Sequence, residues 1–307
     1  MKWRRGTSNP DVVDRRAAGG GGGGFGGSGN GFPIPIPGGG RGAGGLGLVA
    51  IVVFVLLQFV IGGGSGGGGA IPGGFGNQVA PGSEQPQPIP AGQDPQADLK
   101  DFSAYVFTDV QKFWQSTFQQ QGKPYQHAKL ILYSGAVDTG CGSATSAVGP
   151  FYCPTDRHVY LDLSFYDEMT RQLQAPGDFA WAYVIAHEMG HHVQQQLGTS
   201  DEVQRRQQAH PDEANDASVR LELQADCYAG VWAQTVFAAG DLQPGDVEEA
   251  QNAAAAVGDD RLQKQAGGTV NPDSFTHGTS AQRQKWFETG YQSADPGKCD
   301  TFSPDKP

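Results

Sequence analysis

The run His187-Glu188-Met189-Gly190-His191 sets two imidazoles four residues apart, with a carboxylate beside the first. On a helix, positions i and i+4 share a face, with about 5–6 Å between Cβ atoms. Imidazole nitrogens at that spacing can share one zinc ion at about 2.0–2.1 Å. Glu188 is rotated off that line by one residue, so its carboxylate can reach a water at the metal without binding the metal. With 7 histidines in 307 residues, the pattern arises by chance about once in two hundred such chains. Zinc chemistry therefore outweighs a helix that merely carries surface histidines.

A catalytic zinc needs a third protein ligand and an open fourth position. In the longer pattern H-E-x-x-H-x-x-G-x-x-H a third histidine completes the set, but here Gln194 and Leu197 stand at the glycine and histidine positions. The better source is downstream, in Leu221-Glu222-Leu223-Gln224-Ala225-Asp226, where Glu222 and Asp226 are again i and i+4. One carboxylate can bind the metal while the other accepts the N–H of a ligating histidine and fixes its tautomer. Glu222 is read as the ligand and Asp226 as the orienter, with the swapped assignment left open.

Zinc-assisted attack on a peptide carbonyl generates an oxyanion, which an added donor would stabilise. His277, in a loop just before a helix, is the candidate. Arg283 follows two turns later, either to buttress that loop or to bind substrate carbonyls. His192 points about 100° away from His191 and should lie outside the metal site. His127, His158 and His210 have no motif around them and are expected on the surface.

These residues need helices to hold them. Residues 178–197 read as one, with Asp178 as N-cap and Gly198 as the stop. A second runs from about 213 to 239, a third covers 246–265, and a fourth covers 280–291. Upstream, Leu99, Phe102, Val106, Val110, Phe113, Trp114, Thr117 and Phe118 recur at spacings of three and four. That rhythm predicts an amphipathic helix ending before Gly122. Residues 129–133 and 158–163 read as strands, the second half-buried; either its edge is exposed and able to pair with an extended peptide, or the strand is internal with both edges occupied. The fold class is α+β, mostly helical with a few short strands.

The first third is different. Residues 1–76 hold 28 of the 47 glycines, too few apolar side chains to offset the entropy of ordering the chain. Residues 1–45 are expected to be a disordered cytoplasmic tail, and 46–62, opening with a charge-free apolar run, a transmembrane helix. A cleaved signal or a buried core helix remains an alternative for that run. Residues 63–97 read as a Gly/Pro/Gln-rich linker and 98–307 as the globular domain. The tail carries a net charge of +4 against −11 for the whole chain, which orients the domain outside the cytoplasm. That acidity, with no basic stripe beyond the N-terminus, disfavours a nucleic-acid partner. Cys141, Cys153, Cys227 and Cys299 lack any C-x-x-C spacing, and in an oxidising compartment they suggest two disulfides. The simplest pairing is Cys141–Cys153 and Cys227–Cys299, among three possible pairings.

Four segments in order resemble the bacterial putative neutral zinc metallopeptidase family: residues 141–165 (CGSATSAVGPFYCPTDRHVYLDLSF), 185–194 (IAHEMGHHVQ), 221–232 (LELQADCYAGVW) and 274–287 (SFTHGTSAQRQKWF). The family is similar to the gluzincin class, in which a glutamate on a downstream helix is the third zinc ligand. That resemblance implies a zincin-like domain with Glu222 as ligand and Asp226 as the aspartate of the E-x-x-x-D motif. It also implies a membrane-anchored N-terminus, from which the long glycine-rich tail is a departure. The expected function is a membrane-anchored, extracytoplasmic zinc endopeptidase with Glu188 as general base and a peptide or protein substrate. Two alternatives stand beside it: a non-catalytic surface binding module braced by zinc, and a zinc hydrolase acting on an envelope amide.

Overall fold

The computed structural model describes residues 1–6, 9–17, 89, 92–303 and 307. Strand β1 (Val12–Asp14) comes first, followed by helix α1 (Ala97–Gln120), β2 (Lys129–Tyr133), the β3–β4 hairpin (Ala136–Thr139, Gly142–Thr145), β5 (Phe151–Cys153) and β6 (His158–Asp162). Helices complete the chain: α2 (Phe165–Arg171), α3 (Asp178–Leu197), α4 (Thr199–Ala209), α5 (Ala214–Ala238), α6 (Asp246–Ala256), α7 (Asp259–Gln265) and α8 (Ser280–Ser293). The architecture is α+β and mostly helical.

The four-stranded sheet has the order β1-β2-β6-β5, with β1, β2 and β6 parallel and β5 antiparallel. Alternation sorts its side chains. Leu130, Leu132, Val159 and Leu161 enter the main core, whereas Ile131, Tyr133 and Tyr160 pack with Val137 and Cys153 on the other face. Strand β6 is therefore covered on both faces and paired on both edges. This corrects the expectation of a half-buried strand, and of the two alternatives for its edge the internal strand holds, because β5, too short to stand out in the sequence, occupies that edge.

Helix α3 begins at Asp178, but its N-cap is Gly177 (φ 126°), with no side-chain cap from that residue. The Phe179 N–H instead donates to the Glu249 carboxylate on α6 at 3.0 Å. The helix stops at Gly198, whose φ of 80° is the left-handed conformation glycine tolerates best. The helix expected over 246–265 is two helices. Between them Gly258 lies so close to the start of α8 that a Cβ there would sit 2.3 Å from the Ser280 nitrogen. Helices α5 and α8 touch backbone to backbone at Gly230 and Gly290. Both expected disulfides form, Cys141–Cys153 and Cys227–Cys299.

The N-terminal residues depart from the expected tail. Met1 is buried, Trp3 packs edge-on against Phe102 at 5.4 Å, and β1 extends the sheet beside β2. Arg16, 5% exposed, is paired with Asp14 and with Asp94 at 2.6 Å. Residues 1–6 and 9–17 are thus part of the domain and not a disordered tail. Glycine enrichment begins at Gly19, and averaging it over 1–45 hid the apolar Val12 and Val13. Residues 18–45, the expected span at 46–62 and most of the expected linker lie outside the described residues. Among the described residues, no helix is long and apolar enough to cross a membrane.

Candidate metal centre

Helices α3 and α5 cross where the two motifs meet. Gly190, inside the histidine motif, permits the contact: a Cβ there would lie 3.0 Å from the Ala225 Cα. At the crossing, ligand atoms of His187, His191 and Glu222 all lie within 4.8 Å of one another. His187 Nε2 is 3.2 Å from one Glu222 oxygen, and His191 Nε2 is 3.4 Å from the other. The two rings are 4.8 Å apart and almost perpendicular. Ligands at about 2.0–2.1 Å from a tetrahedral centre are separated by roughly 3.3–3.4 Å, so the spacing suits zinc.

Each ring is hydrogen-bonded from behind. His187 Nδ1 is 2.8 Å from Asp226 Oδ1, and His191 Nδ1 is 2.9 Å from Gln194 Oε1. Both partners accept, so each neutral ring carries its proton on Nδ1 and turns the Nε2 lone pair toward Glu222. With both rings neutral, three acceptors would face one another in a buried site, an arrangement that a proton or a metal ion among them must offset. Burial disfavours a charged His187, but Asp226 and Glu222 outweigh it and lift the imidazole to about 10. Burial likewise opposes charge on Glu222, yet His191 and His187 hold it well below the usual carboxylate range. The cluster attracts positive charge, and its two imidazoles and one carboxylate are a donor set that suits zinc.

Behind His187, Asp226 is completely buried. It accepts from Tyr183 Oη, from Arg283 Nε at 2.8 Å and from Arg283 Nη2 at 2.9 Å. Arg283, 2% exposed, is thus committed to Asp226 and Tyr183. That places it behind His187, bracing Asp226. Glu188 is 8% exposed and stands outside the converging group. Burial raises its carboxyl, the direction a general base needs.

His277 lies in the loop leading into α8, and Asp259 organises that loop. One Asp259 oxygen accepts the backbone N–H groups of Thr276 and His277 at 2.7 Å and of Gly278 at 3.1 Å. The other lies 3.1 Å from His277 Nδ1, which leaves Nε2 as the free ring nitrogen. Burial opposes charge on Asp259, but these donors hold it below its ordinary value.

His192 is fully buried away from the metal ligands. It donates from Nε2 to the Gln126 carbonyl at 2.7 Å and accepts from Tyr152 Oη at 3.0 Å. Burial pushes it down to about 4. His127 and His210 are exposed, but His158 is half-buried beside Asp156 and Tyr160, contrary to the expected surface position. Sequence reasoning missed Tyr183, Gln194 and Asp259. Tyr183 and Gln194 flank the histidine motif on the same helix and were findable by helical spacing, whereas Asp259 carries no local signal. A second group of acidic atoms, on Asp178, Asp246 and Glu249, meets the Met1 amine at 2.8 and 3.1 Å.

Comparison with known proteins agrees with this geometry. A family model described as putative neutral zinc metallopeptidase matches residues 1–302. The chain is 54% identical over 202 residues to the uncharacterized protein YpfJ of Escherichia coli K12, covering 66% of this chain and 70% of that one. It is 48% identical over 190 residues to the uncharacterized protein Rv2575 of Mycobacterium tuberculosis H37Rv, covering 58% and 64%. No solved structure matches.

Proposed function

The chain belongs to the putative neutral zinc metallopeptidase family, and we propose that it is an extracytoplasmic zinc endopeptidase. His187, His191 and Glu222 would hold the metal. Bound zinc would supply Lewis acidity, making a water acidic enough to lose a proton near neutral pH and polarising the scissile carbonyl. Glu188 takes the proton from the attacking water on a carboxylate oxygen and delivers it to the leaving amine. His277 donates from Nε2 to the developing oxyanion, held in place by Asp259. Asp226, braced by Arg283 and Tyr183, keeps the His187 proton on Nδ1 so that Nε2 stays available.

The observation that carries this reading is the convergence of three inward-facing acceptors on one point, with a carboxylate next to it that is not part of the convergence. A purely structural zinc is almost always closed by four protein ligands, while this group has three among the described residues. The extracytoplasmic placement is supported by two disulfides and no free cysteine. The test pairs metal analysis with hydrolysis of a peptide library by the full chain. Glu188→Gln should keep zinc and lose at least about 100-fold in hydrolysis. A Glu188→Gln variant as active as the unmodified chain would end the proposal.

A further inference from the structure

We infer that Gln194 is a positioning residue for the metal centre, fixing the tautomer of His191 as Asp226 fixes that of His187. The inference rests on the metal site proposed above but not on the peptidase reaction. Gln194 is fully buried on α3, one turn beyond His191. Its amide nitrogen donates to the Leu221 carbonyl at 2.7 Å and to Gln224 Oε1 at 3.1 Å. A backbone carbonyl can only accept, so the Gln194 amide has one permitted orientation, with Oε1 turned to His191. That oxygen can only accept in turn, so His191 Nδ1 must carry the proton and Nε2 must be free.

The chain of bonds continues outward. Gln224 Nε2 donates to the Cys299 carbonyl at 3.0 Å, and Cys299 is joined to Cys227 on α5. The orientation of His191 is thus set by fixed backbone groups on α5 and the C-terminal segment. A neutral amide here does for one ligand what a buried carboxylate does for the other. Gln194 adds no negative charge, so the site keeps only the carboxylates of Glu222, Asp226 and Glu188.

Zinc affinity of the full chain, measured by chelator competition, tests this with two variants. Gln194→Met keeps the volume and removes the acceptor, and should weaken zinc about 10- to 100-fold. Gln194→Glu keeps an acceptor for His191 Nδ1 but loses the donor to the Leu221 carbonyl and Gln224 Oε1, so it should bind zinc more tightly than Gln194→Met. Ring-nitrogen NMR of the zinc-loaded protein supplies a readout that lost packing alone would not move: the His191 Nδ1 proton protected from exchange in the unmodified chain, and exchanging fast in Gln194→Met. A folded Gln194→Met variant with affinity within twofold of the unmodified chain overturns the inference. Should that variant not fold, NMR of the zinc-loaded unmodified chain decides, and His191 bound to zinc through Nδ1 overturns the inference. An unmodified chain that binds no zinc overturns the metal site itself.

A separate observation concerns topology. We infer that residues 1–6 and 9–17 occupy the same compartment as residues 92–303. β1 is hydrogen-bonded to β2 in register, Asp11 accepts from Gln111, and Arg16 is buried against Asp94. Backbone pairing and a buried ion pair need both partners on one side of any membrane. A single crossing by residues 46–62 would separate them. Arg4 and Lys285 are both exposed, so Arg4→Cys and Lys285→Cys variants of the full chain can be probed in intact cells with a membrane-impermeant maleimide. Both positions should label alike. Labelling at 285 without labelling at 4, or the reverse, overturns the inference.

Discussion

Replacing Asp226 by Asn perturbs the metal centre without changing its shape. The carboxylate is completely buried and accepts from His187 Nδ1, Tyr183 Oη and two Arg283 nitrogens. Asparagine keeps one acceptor oxygen but turns an N–H₂ group toward donors and strips the counter-charge from a guanidinium that is 2% exposed. Breaking a buried pair on one side costs about 3–5 kcal/mol. The remaining carboxylate, Glu222, is 3.9 Å from Arg283, which sets the expectation at the lower end of that range in chelator. Zinc would neutralise Glu222 and remove that compensation, so the variant should also bind zinc about 10- to 100-fold more weakly. Urea unfolding of the full chain in chelator, disulfides intact, reads the first effect, and chelator competition reads the second. A stability loss below about 1 kcal/mol together with unchanged zinc affinity would refute the reasoning.

Other outcomes follow from the same contacts. Gly230→Ala and Gly290→Ala would place Cβ atoms 2.0 Å from the Phe287 carbonyl oxygen and 1.9 Å from that of Cys227. Each should cost about 1–3 kcal/mol or more by forcing α5 from α8, read by urea unfolding. Removing the Cys227–Cys299 bridge by serine substitution of both cysteines should cost about 2–5 kcal/mol, read the same way against the oxidised chain. Asp259 is held below its unfolded value, so its contribution is complete above about pH 4 and is lost as pH falls through the folded value. Stability of Asp259→Asn should therefore fall less steeply with acid than that of the unmodified chain between about pH 4 and 2, and parallel curves would count against the Asp259 contacts.

The parts of the site legible in the sequence are those encoded by one helix at a time. His187, Glu188 and His191 share a turn-spaced motif, Glu222 and Asp226 share another, and the glycine at 198 marks a helix end. The crossing that unites them depends on Gly190 and Ala225, whose meeting is a tertiary event. Asp259 and His277 are 18 residues apart and joined through backbone N–H groups, which no residue pattern announces. Gln194 was visible only as the wrong residue for a longer histidine motif, because its role comes from carbonyls on another helix. Strand β1 is three residues long, and next to a glycine-rich stretch its period-two signal is too short to register. The break at Gly258 was hidden because the helical pattern resumes at once, and only the approach of α8 demands it.

One zinc ion held by His187, His191 and Glu222 is what the proposed chemistry requires. Crystals of the zinc-loaded full chain, measured on either side of the zinc absorption edge, test it most directly. One strong anomalous peak should appear about 2 Å from His187 Nε2, His191 Nε2 and a Glu222 oxygen. A peak only at Asp178, Asp246 and Glu249, or none between the two helices, would contradict it.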